Sequence, residues 1–95
     1  MLTSKTLSRI TDYMTQELYH IIIRVPKEHS AFTYFQLEAN EGLAFYSTLK
    51  HANGQVYRDI DLKGPKELET ELRRLLEYLS SSYLIEYIKE ETIQT

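Results

Sequence analysis

At 95 residues the chain has room for one domain and one modest core, and its 42% hydrophobic and 26% charged residues are ordinary for a soluble globular protein. A net charge of −3 argues against a general nucleic-acid binder, which usually carries a strongly basic patch; the lack of cysteine excludes a disulfide framework and a thiolate metal site. The longest apolar run, Ile21-Ile22-Ile23, is far short of a membrane span, and no apolar signal-peptide region is visible, so a cytoplasmic protein with no membrane partner is expected. Tyrosine is over-used, with eight Tyr against three Phe and no Trp. Its ring packs while its hydroxyl stays wet, which suits half-buried sites and interfaces.

Residues 3–17 read as an additional N-terminal helix: Thr3 or Ser4 can cap it, and Leu7, Ile10, Met14 and Leu18 fall at helical spacing. Tyr19 to Val25 reads as a strand, apolar on both faces and therefore central in its sheet, and Pro26 ends it. Lys27 to Asn40 reads as a helix that buries Ala31, Phe32, Phe35 and Ala39, with Tyr34 and Leu37 on the margins and Gly42 available for a left-handed cap.

Asn53-Gly54, set between the strand-like runs 43–52 and 55–62, predicts a hairpin closed by a type I′ turn. A two-residue loop then sets Ala52 against Gln55, and the register follows. One face carries Phe45, Ser47, Leu49 and His51 opposite Leu62, Ile60, Arg58 and Val56; the other carries Tyr46, Thr48 and Lys50 opposite Asp61, Asp59 and Tyr57. The first face is mostly apolar and is expected to meet the helices.

Lys63-Gly64-Pro65 reads as a loop that opens a helix, along which Leu68, Leu72, Leu75, Leu76 and Leu79 recur at spacings of three and four. Two heptads are too few for a coiled coil, and packing on a sheet needs the same pattern. After Ser80-Ser81-Ser82, the run Tyr83–Ile88 reads as a fourth strand. The competing helix would be capped by Ser81 or Ser82, with Leu84, Tyr87 and Ile88 as its stripe. Residues 89–95 read as a flexible polar tail, and no internal repeat stands out. The expected organisation is a single domain over 1–95, with the extra helix at 3–17 and a core at 19–88. Its class is α+β, a ferredoxin-like two-layer βαββα(β) sandwich with both main helices on one side of the sheet.

From Tyr19 to about Leu79 the chain resembles small bacterial domains with an ACT-like plan. In particular it resembles an uncharacterised bacterial family that reads apolar strand, Pro, helix, Glu-Gly-Leu-Ala, hairpin, helix. Here those elements are Ile21-Ile22-Ile23-Arg24-Val25-Pro26, the helix to Asn40, and Glu41-Gly42-Leu43-Ala44. The resemblance implies a ferredoxin-like fold and self-association. ACT domains also bind small effectors near a Gly-containing loop after the first strand. The segment Val25-Pro26-Lys27-Glu28-His29-Ser30 has no Gly, so amino-acid sensing does not carry over.

No catalytic, cofactor or metal site is expected. Asp59 and Asp61 face the same way on one strand, about 7 Å apart, but lack a third ligand or a phosphate loop. His20, His29 and His51 show no metal-ligand spacing, and His29-Ser30 point about 100° apart on a helix. The open sheet face is the surface of interest. It is expected to gather Ile22, Arg24, Tyr46, Lys50, Tyr57, Asp59 and Asp61, unless residues 3–17 fold back over it. These residues suit a non-catalytic interaction or regulatory module that forms a homodimer through this face and has room for a protein partner. The alternative is an RNA-binding domain stacking bases on the same face, which Asp59 and Asp61 oppose. A small oligomeric enzyme comes third.

Overall fold

The computed structural model describes residues 16–94. The helix expected over 3–17 lies outside the described residues except for its last two positions, of which Glu17 opens a strand. That strand, β1 (Glu17–Pro26), alternates as its sequence predicts: Tyr19, Ile21, Ile23 and Val25 are buried against the helices, and Ile22 and Arg24 face the other way, half-buried. It is followed by α1 (Ser30–Ala39), β2 (Phe45–Thr48), β3 (Tyr57–Pro65), α2 (Glu69–Ser80) and β4 (Glu86–Gln94). The sheet order is β2-β3-β1-β4 with every neighbouring pair antiparallel. This is the ferredoxin-like α+β plan expected from the chain, with β1 and β3 central.

Both helices begin in the same way. Pro26 (φ −59°, ψ 141°) and Pro65 (φ −57°, ψ 137°) end their strands, and each leads into one turn of 3-10 helix, Lys27–His29 and Lys66–Leu68. Pro-Lys-Glu therefore occurs twice, at equivalent points of the two halves. It is a short internal repeat that spacing alone did not bring out. Proline suits the position because its φ is already set and its missing N–H would have no partner there.

The core joins β1 and β3 to one face of each helix. Leu72, Leu76 and Leu79 of α2 are fully buried, as their spacing predicts. Helix α1 departs from expectation. It buries Thr33 and Leu37, while Phe35 is 64% exposed and Phe32 48%. The reason lies in the polar partners available to the inner face. The Thr33 hydroxyl donates to the His29 carbonyl at 2.8 Å and lies 2.6 Å from the Tyr83 hydroxyl. A threonine with its hydroxyl satisfied is as acceptable in a core as an apolar residue. Tyr83 in turn stacks on His29, and Tyr34 stacks on Tyr46 of β2. These contacts hold the helix with Phe32 and Phe35 outward.

The hairpin departs by one residue. Gln55 donates its N–H to the Ala52 carbonyl, so the turn closes where Asn53-Gly54 predicts. Gly54 has φ +86° and no non-glycine residue among those described has positive φ, which fits a type II turn rather than type I′. Further back, Leu49 bonds Asp59 instead of Arg58, and the ladder continues as Thr48↔Ile60, Ser47↔Asp61, Tyr46↔Leu62 and Phe45↔Lys63. One extra residue has entered on the β3 side. Val56 is drawn off to accept the Lys27 N–H, and the Arg58 guanidinium donates to the carbonyls of Gln55 and Tyr57. A one-residue shift exchanges the two faces of a strand. Tyr46 and Thr48 therefore meet the helices, and Phe45 points away, 84% exposed. Gly54→Val should still cost about 1–3 kcal/mol, the penalty for a β-branched residue at positive φ, measured by urea denaturation.

The fourth strand is a strand, but it begins at Glu86 and runs to Gln94, through the residues read as a tail. Tyr83 and Ile85, ahead of it, plug the core from a loop. An edge strand needs only its ladder, so a polar sequence can form one; Lys89, Glu90, Glu91 and Thr92 pair with Ile22, Ile21, His20 and Tyr19.

Candidate functional site

The sheet face turned away from α1 and α2 is built in rows across the strands. Phe45, Lys63, His20 and Glu91 form one row; Ser47, Asp61, Ile22 and Lys89 the next; Asp59, Arg24 and Glu86 the third. Tyr57 follows at the end of β3. Five residues expected on this face are thus on it: Ile22, Arg24, Tyr57, Asp59 and Asp61. Two are not. Tyr46 is turned to the helix side by the register shift, where its hydroxyl bonds Glu38 and is held above its usual pKa by that carboxylate. Lys50 lies exposed in the connection between β2 and β3.

Most charges on this face, those of Arg24, Asp59, His20, Asp61, Lys89 and Glu91, are paired within the chain, whereas Lys63 and Glu86 make no ion pair among the described residues. Arg24 makes a two-pronged contact with Asp59, Nε to Oδ1 at 2.8 Å and Nη2 to Oδ2 at 3.0 Å, and its guanidinium lies 3.9 Å over the Tyr57 ring. These bonds raise its pKa further above the ordinary arginine value. His20, only 7% exposed, stands between two carboxylates: Nε2 is 3.0 Å from Asp61 Oδ2 and Nδ1 is 2.5 Å from Glu91 Oε2. A carboxylate only accepts, so both contacts are hydrogen bonds when the ring carries both protons. The bond from His20 lowers the Glu91 pKa, with Lys89 adding to the effect from 3.5 Å.

This geometry does not gather the carboxylates toward one point. Asp61 and Glu91 meet opposite nitrogens of one imidazole and cannot converge on a single cation, and Asp59 is taken by Arg24. Among the described residues no group of three or more His, Asp or Glu is placed to hold a metal. Nor does any buried side-chain nitrogen or oxygen among them lack a hydrogen-bond partner.

At the Tyr57 end of the face lies an open cleft of about 530 Å³, lined by Arg24, Val25, Pro26, Glu28, Val56, Tyr57, Leu84 and Glu86. Its walls are largely apolar, and Val56 and Leu84 are 75% and 65% exposed. Sequence spacing could not reveal it, because three separate segments meet there. It also could not show the bond from His20 to Glu91, since that requires β4 to run through residues assigned to a tail.

No family model matches the chain, and no curated protein matches it. Among solved structures it is similar to CPII, a nitrogen regulatory PII-like protein from Thiomonas intermedia K12, determined with ADP, AMP and bicarbonate bound. The TM-score is 0.64 at 19% sequence identity, and the match covers 83% of this chain and 92% of that one. The two share a fold. Of the resemblance carried by Ile21–Pro26 and Glu41–Ala44, the shared arrangement of strands and helices is the part this comparison supports. Among the described residues no helix is long and apolar enough to cross a membrane.

Proposed function

We propose that the chain is a non-catalytic regulatory module of the cytoplasm that self-associates through the open face of its sheet. The observation that carries this reading is the internal pairing of most of the charges there. Arg24 with Asp59, and His20 with Asp61 and Glu91, have already found partners. Covering charges that are paired and hydrogen-bonded costs far less than covering lone ones. Ile22 near the centre and Phe45 at the margin supply apolar contact area. Because these cations are used internally, they do not need a carboxylate of a second copy. The shared fold with a nitrogen regulatory protein supports a regulatory role. A small effector fits best in the cleft beside Arg24 and Tyr57, where it would touch the rim of the contact.

RNA binding is less well supported. One face of the Tyr57 ring is occupied by the Arg24 guanidinium, and Asp59, Asp61, Glu86 and Glu91 would all meet phosphate.

Light scattering tests the proposal. Wild type should have at least twice the monomer mass at micromolar concentration, and Ile22→Glu and Phe45→Glu should each lower that mass while leaving the chain folded. A monomeric wild type, or an assembly indifferent to both substitutions, removes the open face as the contact.

A further inference from the structure

Among the described residues, one long edge of the sheet has no further strand beside it. β4 spans nine residues at the end of the strand order, and every one of them except Ile93 is exposed. Its inner side pairs with β1, and no described strand lies on its outer side. Such an edge is a template for another strand, and proteins usually protect it with charge. Here Lys89, Glu90 and Glu91 occupy the middle of the strand, and a bulge lies between its pairs with Ile22 and Ile23.

We infer that β4 pairs antiparallel with β4 of a second copy, in a register centred on Glu90, to give one continuous sheet of two domains. The register follows from symmetry and charge. A two-fold axis perpendicular to the sheet keeps both helical layers on one side and requires paired residues to share a face, so the axis must pass beside a residue rather than between two. Centring on Lys89 sets two lysines opposite each other, and centring on Glu91 sets two glutamates opposite each other; like charges directly opposite are destabilising. Centring on Glu90 sets Lys89 against Glu91 of the second copy, and symmetry repeats that pair. The two central Glu90 side chains then come together on the helix side. Each already has the Arg73 guanidinium 2.7 Å away, so the central position is charge-balanced. The bulge at Ile88 turns Tyr87 to the helix side while Ile93 faces the open side, so the paired stretch in this register is confined to residues 88–92. In this alignment the central Glu90 pair is the like-charge contact, and two Lys89–Glu91 pairs outweigh it.

This contact runs along the outer edge of β4, whereas the open-face contact centres on Ile22 and Phe45; Lys89 and Glu91 border both. Sedimentation equilibrium should show that Lys89→Glu and Glu91→Lys each weaken association at least about tenfold, because two attractive cross-strand pairs become repulsive. The exchanged double variant Lys89→Glu/Glu91→Lys should recover most of the loss, which a merely structural role of either residue would not produce. Circular dichroism confirms that each variant is folded. Wild-type hydrogen exchange supplies a readout that needs no substitution: outward amides of β4 should gain protection as protein concentration rises. Equal β4 exchange at low and high concentration, or single variants that associate like wild type, overturns the edge contact. If Ile22→Glu abolishes association while the Lys89 and Glu91 variants leave it intact, the open face stands and the edge proposal falls.

Discussion

Gly64→Ala should destabilise the fold by about 3 kcal/mol or more, at the upper end of what overpacking a core costs. Gly64 sits within β3 directly opposite Tyr19 of β1. A Cβ built there would lie 2.5 Å from the Leu43 carbonyl oxygen, 2.5 Å from the Tyr19 hydroxyl and 2.6 Å from Tyr19 Cε2. None of these can step aside. Tyr19 is completely buried and its hydroxyl donates to the same Leu43 carbonyl, which fastens the segment after α1 to the start of β1. Burial also raises the pKa of that hydroxyl well above the usual tyrosine value, so it stays a donor at any working pH. The urea midpoint of Gly64→Ala should fall with an unchanged slope. In a Tyr19→Leu background the same substitution should cost at least about 1 kcal/mol less, the coupling expected of residues in direct contact. A loss below about 1 kcal/mol in the wild-type background would mean that ring and strand are not packed in this way.

Gly64 also shows where the sequence speaks and where it misleads. Lys63-Gly64-Pro65 has the composition of a loop, yet all three residues belong to β3. The glycine is there because a neighbouring ring needs the space, and that need is invisible until Tyr19 is known to face it. β1 and α2 were legible because their burial is periodic, by twos in the strand and by threes and fours in the helix. Helix α1 was legible as a helix but not in its orientation. Pattern reading ranks Phe32 and Phe35 above Thr33, whereas the fold ranks Thr33 higher because Tyr83, fifty positions on, completes its hydrogen bonding.

The candidate site was legible wherever it rests on β1 and β3, whose alternation places Ile22, Arg24, Asp59 and Asp61 on one face. It failed at Tyr46 because a turn motif fixes the register only next to the turn. A single extra residue near Val56, held by Lys27 and Arg58, is enough to reverse β2. It failed at Glu91 because β4 gets its place from backbone pairing and carries no apolar alternation to betray it. Both errors are cases where a long-range contact decides a local assignment.

Leu76→Ala and Phe35→Ala should separate the observed packing from the one that hydrophobic spacing implies. Leu76 is fully buried among the side chains that α2 lays on the sheet, and its truncation should cost about 2–5 kcal/mol, the range for a core leucine that leaves a cavity. Phe35 has the larger side chain and lies in the stripe Ala31, Phe32, Phe35, Ala39 that reads as the buried face of α1. If that stripe met the sheet, Phe35→Ala would be the costlier change of the two. With Phe35 64% exposed, its truncation should alter stability by no more than about 0.5 kcal/mol. Paired urea denaturation of the two variants under dilute, monomeric conditions makes the comparison, since any self-association would stabilise the folded state and distort both values. The reverse order, a large loss at Phe35 and a small one at Leu76, would turn α1 over on the sheet. Thr33, Tyr34 and Leu37 would then have to face water, and the Thr33–Tyr83 and Tyr34–Tyr46 contacts that hold the helix would be lost together.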